Sequence, residues 1–364
     1  MLWSLDGKPL ASHHWQNGSV SAVAQVGFTF VFQSATEQPR EPEEPVHRMV
    51  ERTGLPLSYT LHQRRSDPQA WRRLLDLTAQ ANAAGLPMRG QVICRPTGLL
   101  FGLELSMHPF SGCPSYAAIS DLPFAEKVRA MRDQELRARL IAEEPTEKRW
   151  ALTRDFALMF PLDDPPDYEP APNFSIANQA KRKGVSPAEI AYDLLLSKDG
   201  RAMLLAPIQD YEDGDGEATR EMMEHPDTIL GLGDAGAHCG LVCDASYSTW
   251  ALTHWTRDRT RGAKLSLPWI IRALTSETAA AVGLHDRGII EPGYKADLNV
   301  IDYDGLRLAA PEVTYDLPAG GRRIVQRSSG YEATVVSGKV TYRNGQHTGA
   351  LPGRLIRGAR AARA

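Results

Sequence analysis

The stretch at residues 225–254, HPDTILGLGDAGAHCGLVCDASYSTWALTH, is the part of the chain whose reading decides the fold. Residues 227–232 form a short apolar run with β-branched members, bounded by Pro226 and Gly233, and this pattern predicts a buried strand. Asp234 falls at its C-terminal tip. Glycines at 231, 233 and 236 let the backbone turn there, and His238, Cys239 and Cys243 follow closely. In parallel α/β architectures, reactive groups collect at the C-terminal ends of strands, because the loops that follow form one open face.

Working outward, the pattern repeats. Residues 26–33 and 57–62 read as strands, residues 46–52 as a short helix, and Asp67-Pro68 opens a helix over 69–84 with Trp71, Leu74, Leu75, Leu77 and Thr78 on its apolar face. Another strand covers 88–94. Strand, helix, strand with short connections predicts parallel pairing through right-handed crossovers. Residues 95–113 read as a long packed loop containing His108, and 163–172 as a turn-rich connector. A helix opens near Asp121 and a capping box at Ser186 starts another; then come a strand at 202–207 and a helix at 217–225. Beyond a helix at 267–281 the character changes. Short β segments at 298–302, 323–326, 333–337 and 339–343, with tight turns at Ser337-Gly338 and Asn344-Gly345, predict a separate small β domain.

Composition narrows the function classes. The 364 residues carry a formal net charge of -3 and 23% charged side chains, which gives no basic stripe for nucleic acid and no polybasic membrane patch. Four cysteines are too few for a disulfide framework and match no structural zinc spacing. The N-terminus has no basic and apolar leader pattern, and no run approaches the roughly 20 apolar residues of a membrane span. The expectation is a soluble, cytoplasmic protein.

Residues 274–302, LTSETAAAVGLHDRGIIEPGYKADLNVID, resemble the C-terminal signature of the amidohydrolase superfamily, in its D-aminoacylase (N-acyl-D-amino-acid deacylase) branch. That branch also ends like VVSGKVTYRNG at 335–345 and TGALPGR at 348–354. The resemblance is specific over about 224–354 and continuous back to about residue 49. It implies an α/β fold: an incomplete TIM-type (β/α) barrel over 1–286 and a small C-terminal β-sandwich-like domain over 287–364.

The resemblance also implies chemistry. GLGDAGAH matches the family segment that supplies a metal-binding aspartate, so Asp234 is its counterpart, as metal ligand and as proton shuttle from attacking water to leaving amine. The implied cofactor is zinc or a similar divalent ion, which lowers the pKa of its bound water to roughly 7 and polarises the scissile carbonyl. His238 lies just beyond and is expected to meet substrate. His62, after the strand at 57–61, is the candidate second metal ligand, one position away from the family's histidine. The family's H-x-H pair has no counterpart anywhere in the sequence, and the chain begins where the family is already well into its barrel.

Other residues keep two readings. His254 either faces the pocket as a substrate contact or packs in the core. His13-His14 fit a polar surface, Cys239 and Cys243 fit buried small side chains, and Asp244 fits a helix cap near Ala245. Arg322-Arg323 fit either a surface turn or a carboxylate contact. The expected function is hydrolysis of a non-peptide C–N amide bond in a small-molecule substrate such as an N-acyl amino acid, with self-association left open. The alternatives are a non-catalytic truncated relative and a cyclic-amide hydrolase of the dihydropyrimidinase kind.

Overall fold

In the computed structural model, residues 30–32, 50–52, 54–231, 233 and 238–356 are described. The strand expected at 26–33 and the helix expected at 46–52 therefore fall partly outside them, and His13-His14 wholly so. In chain order the first strands are β1 (Phe30–Phe32), β2 (Leu57–Thr60), β3 (Met88–Val92), β4 (Thr97–Phe101), β5 (Phe160–Leu162), β6 (Met203–Gln209) and β7 (Thr228–Leu230). They make two sheets. The first is parallel throughout, in the order β1-β2-β3-β7, with Gly90 of β3 opposite Tyr59 on one side and Thr228 on the other.

The connection from β2 to β3 shows why these residues fold locally as they do. The helix Ala70–Ala83 buries Trp71, Leu75, Thr78 and Ala81, which share one face at helical spacing. It ends before Gly85, whose φ of 84° lies in the left-handed region open to glycine. Asn82 near the helix end then locks the return. Its Nδ2 donates to the Met88 carbonyl at 2.9 Å and to Asp227 Oδ1 at 2.8 Å, and its Oδ1 accepts from the Met88 N–H at 2.8 Å. One amide side chain thus sets where β3 and β7 begin.

The second sheet is antiparallel, in the order β4-β6-β5. Its first strand lies inside the region 95–113 that the sequence reads as loop. The reason is burial: Leu99, Leu100 and Phe101 are all buried, so the strand has no polar alternation to betray it. This sheet is the wall between two apolar clusters. Leu100, Met203 and Leu205 face one cluster, which also holds Leu61, Trp71, Leu230 and Trp250. Leu99, Phe101, Leu204 and Ala206 face the other, with Phe110, Met131, Tyr192 and Leu195. The two-residue period of a strand sorts neighbours to opposite faces.

The C-terminal strands are β8 (Leu298–Ile301), β9 (Arg307–Leu308), β10 (Glu312–Leu317), β11 (Gly321–Val325), β12 (Ser328–Ser329), β13 (Tyr331–Val336), β14 (Lys339–Arg343) and β15 (Gln346–His347). They pair antiparallel as β15-β14-β13-β8, β10-β11 and β12-β9. The turn at Ser337-Gly338 has φ of 50° and 76° and that at Asn344-Gly345 47° and 76°, the paired positive values of a two-residue hairpin turn. Leu306, Leu308 and Ile324 pack into the same apolar cluster as the parallel sheet. Among the described residues, no helix is long and apolar enough to cross a membrane.

Truncating the wall should be costly. Leu205→Ala is expected to lose about 2–5 kcal/mol, from lost transfer energy and the cavity left behind. Ser186→Ala, which removes the hydroxyl that accepts from the Glu189 N–H, is expected to lose about 1 kcal/mol. Urea unfolding reads both, and an unchanged midpoint for Leu205→Ala would contradict the two-sided wall.

Candidate functional site

β2 and β6 belong to different sheets, yet their C-terminal ends are tied together. After β2 the chain continues through Leu61, whose N–H bonds the Gln91 carbonyl at 2.9 Å, and then presents His62. After β6 comes Asp210 at a φ of 63°. Left-handed backbone costs a non-glycine residue roughly 1–2 kcal/mol, and the bonds that Asp210 makes offset it. Its Oδ2 meets His62 Nδ1 at 2.6 Å, its Oδ1 accepts from the Gln63 N–H at 2.7 Å, and its own N–H donates to the Gln63 carbonyl at 3.0 Å. Gln63 reaches further along the same loop, donating from Nε2 to Asp213 at 2.7 Å. His62 and Asp210 are both buried.

The loop 210–217, DYEDGDGE, also feeds a second cluster. Glu169 is buried there with all its acceptor capacity in use. Oε1 accepts from the Gly216 N–H at 2.7 Å and Arg259 Nη2 at 2.9 Å, and Oε2 accepts from Arg259 Nε at 3.0 Å and His254 Nε2 at 2.7 Å. Arg259 is fully buried and also pairs through Nη1 with Glu217 at 2.8 Å. His254 stacks on Trp250 with centroids 4.1 Å apart and planes 13° from parallel. Burial pushes the Glu169 carboxyl up, but hydrogen bonds and charge from His254 and Arg259 outweigh it and hold the group at about 2.

The expected site residues fall in different places. Asp234 lies outside the described residues. His238 is exposed at a φ of 51°, and its carbonyl accepts from the N–H groups of Leu241 and Val242 at 2.8 and 3.0 Å, so it opens a tight turn. His62 and His254 sit in separate hydrogen-bonded clusters, bridged by the loop 210–217. Asp244 does not cap a helix: the helix Tyr247–Thr253 follows Ser246 without a side-chain cap bond, and the Asp244 carboxylate pairs with buried Arg95 at 2.6 Å. Burial pushes the Cys243 thiol up to about 11, away from the thiolate a metal would require. Arg323 pairs with Asp316 at the surface at 2.8 Å, and Arg322 donates to the Leu105 carbonyl at 3.2 Å.

Asp210, Glu169 and Arg95 escaped the sequence reading. The signal for Asp210 was available: four acidic residues crowd the six positions 210–215, directly after a strand. Among the described residues, no group of three or more His, Cys, Asp or Glu side chains is placed to hold a metal ion. Among the described residues, His62 has its Nδ1 taken by the Asp210 carboxylate, the arrangement that orients Nε2 as a metal ligand.

Comparisons with known proteins complete the description. The model of the amidohydrolase family matches residues 11–342. A comparison with curated proteins gives no match. Among solved structures, the chain is similar to a D-aminoacylase variant in complex with copper(II) chloride, at 16% identity and a TM-score of 0.44, covering 86% of this chain and 52% of that one. It is similar also to D-aminoacylase described as defining a novel subset of amidohydrolases, at 16% and 0.44, covering 88% and 54%. A third is N-acyl-D-glutamate deacylase from Bordetella bronchiseptica with zinc and a phosphonate inhibitor, at 16% and 0.39, covering 87% and 51%. The chain spans about half the length of these structures.

The Glu169 cluster makes stability depend on pH. The carboxyl is lowered from 4.5 to about 2 in the folded chain; between those values the unfolded state binds more protons, so stability rises with pH across that window. Its contribution is present above about pH 4.5 and is lost as pH falls toward 2. Glu169→Gln, which leaves Arg259 buried without its carboxylate, should cost about 3–5 kcal/mol at neutral pH and flatten that acid limb in urea titrations. A parallel acid limb in the variant would contradict the assignment.

Proposed function

This chain belongs to the amidohydrolase family, and on that premise we propose that it hydrolyses a non-peptide C–N amide bond in an N-acyl-D-amino acid or a related small-molecule amide. In this reading the parallel sheet is part of a TIM-type (β/α) barrel over residues 1–286, and 287–364 form a small β domain beside it. The observation that carries the proposal is the His62–Asp210 pair. Asp210 accepts the Nδ1 proton of His62, which fixes the tautomer and leaves the Nε2 lone pair for a ligand. His62 and Asp234 would hold a divalent ion such as zinc. When bound, such an ion polarises a carbonyl and lowers the pKa of water to roughly 7.

The chain's own groups perform the proton transfers. Asp234 takes a proton from the attacking water as the O–C bond forms, and returns it to the amine nitrogen as the C–N bond breaks. Asp210 keeps His62 in place throughout. His238, exposed on the turn after β7, meets the substrate from the rim. His254 has Nε2 committed to Glu169 and one ring face against Trp250, which leaves Nδ1 as the atom through which it would contact substrate.

A second reading is a non-catalytic relative, since among the described residues no group of three or more His, Cys, Asp or Glu side chains is placed to hold a metal ion. Metal analysis of the purified chain with hydrolysis of a panel of N-acyl-D-amino acids separates the two. The proposal expects bound divalent metal and amine release; Asp234→Asn should abolish turnover with an unchanged far-UV circular dichroism spectrum, and Asp210→Asn should weaken metal retention by about 10–100-fold. Metal content untouched by Asp234→Asn would refute the ligand assignment, and no turnover by the parent chain on any amide would leave the non-catalytic reading standing.

A further inference from the structure

A cavity of about 610 Å³, open to solvent, lies among the C-terminal strands and is built from three stretches of chain: 286–295, the turn 337–339 and 351–354. None of its lining residues belongs to the His62–Asp210 pair or to the Glu169 cluster. Backbone bonds fix two of its walls. The Lys295 N–H donates to the Asp286 carbonyl at 2.8 Å, and the Gly338 N–H to the Ala296 carbonyl at 2.9 Å. Asp297 clamps the same turn by accepting from the Ser337 N–H at 2.8 Å.

The walls carry more positive than negative charge. Asp286 is taken by Arg287, at 2.8 and 3.1 Å, and Asp297 pairs with Lys295. Among the described residues, Lys339 and Arg354 line the cavity without an ion pair. Like charges repel, and a concave wall of one sign concentrates the opposite ion, so a cavity that gathers unmatched cations from separate segments is stabilised when an anion sits between them. Ser337 and Tyr294 add hydroxyl groups, and Tyr294, Leu351 and Pro352 add apolar surface. Leu351 is 86% exposed, so that surface is open to a ligand.

We infer that this cavity binds a small organic phosphate monoester, with its phosphoryl group between Lys339 and Arg354 and its organic part against Tyr294, Leu351 and Pro352. Charge selects the headgroup. A carboxylate or a sulfate ester neutralises one of the two unmatched cations, whereas a phosphate monoester carries about -1.5 to -2 charges at pH 7 and offers three acceptor oxygens. An ammonium meets phosphate as a point charge and a guanidinium meets it as a bidentate donor. Volume selects the rest. Ligand cavities run to about 300–1,000 Å³, and 610 Å³ holds far more than a free phosphate ion. A ligand seated here ties 351–354 to the hairpin β13–β14 and stabilises the folded chain by mass action. This site lies apart from the proposed hydrolytic one, and neither depends on the other.

The test is calorimetric titration of the full chain, in phosphate-free buffer, with phenyl phosphate, phenyl sulfate and inorganic phosphate. At pH 7.5 phenyl phosphate should saturate one site per chain and bind about fivefold or more tighter than either other anion. At pH 5, below the second phosphate ionisation near about 6, its lead over phenyl sulfate should vanish. Lys339→Ala and Arg354→Ala should each weaken phenyl phosphate binding about threefold, and together about tenfold, the scale of exposed ion pairs. Both side chains are exposed, so urea midpoints should not move. Lys183→Ala, on the helix Ile176–Lys183, should leave binding intact. No saturable binding up to millimolar phenyl phosphate, equal binding of phenyl sulfate or inorganic phosphate at pH 7.5, or an affinity untouched by the double variant would overturn the inference.

Discussion

One carboxylate, Asp210, joins the two sheets where the chemistry is expected. It is held in left-handed backbone by bonds on both oxygens, to His62 Nδ1 and to the Gln63 N–H. Without it, the ends of β2 and β6 would keep only the bonds of Gln63 to Asp213 and to the Asp210 and Glu212 N–H groups, and His62 would be a buried imidazole with no fixed tautomer. The loop that begins at Asp210 then supplies the Gly216 N–H to Glu169 and the Glu217 carboxylate to Arg259. A single connection thereby orients a candidate metal ligand at one end and completes a buried ionic cluster at the other.

The buried charges divide into two kinds. Glu169, Arg259 and His254 satisfy one another almost completely, and a network so closed serves to hold elements in place: it fixes the π-helical segment His254–Asp258 against the loop 210–217. Arg95 is the opposite case. Its Nη2 donates to Asp244 and to the Cys243 carbonyl, while Nε and Nη1 are buried without a hydrogen-bond acceptor.

Much of the local structure was legible in the chain. The helix Ala70–Ala83 announces itself by the spacing of Trp71, Leu75 and Thr78, β7 by an apolar run between Pro226 and Gly233, and the C-terminal hairpins by Ser337-Gly338 and Asn344-Gly345. β4 was hidden, because a strand buried on both faces has no period to read. The site was less legible for a different reason. His62 and Asp210 are 148 residues apart and His254 and Glu169 are 85 apart, so their partnership exists only in the fold. Arg95 stood in a segment read as packed loop, and nothing local distinguishes it from a surface arginine.

The most direct measurement of the central claim is nitrogen-15 NMR of histidine-labelled protein during titration with zinc. The account predicts that His62 carries its proton on Nδ1, bonded to Asp210, and that zinc shifts the Nε2 resonance of His62 while Nδ1 stays protonated. A His62 Nε2 signal that does not move at saturating zinc, or a proton found on Nε2 in the metal-free chain, would contradict it.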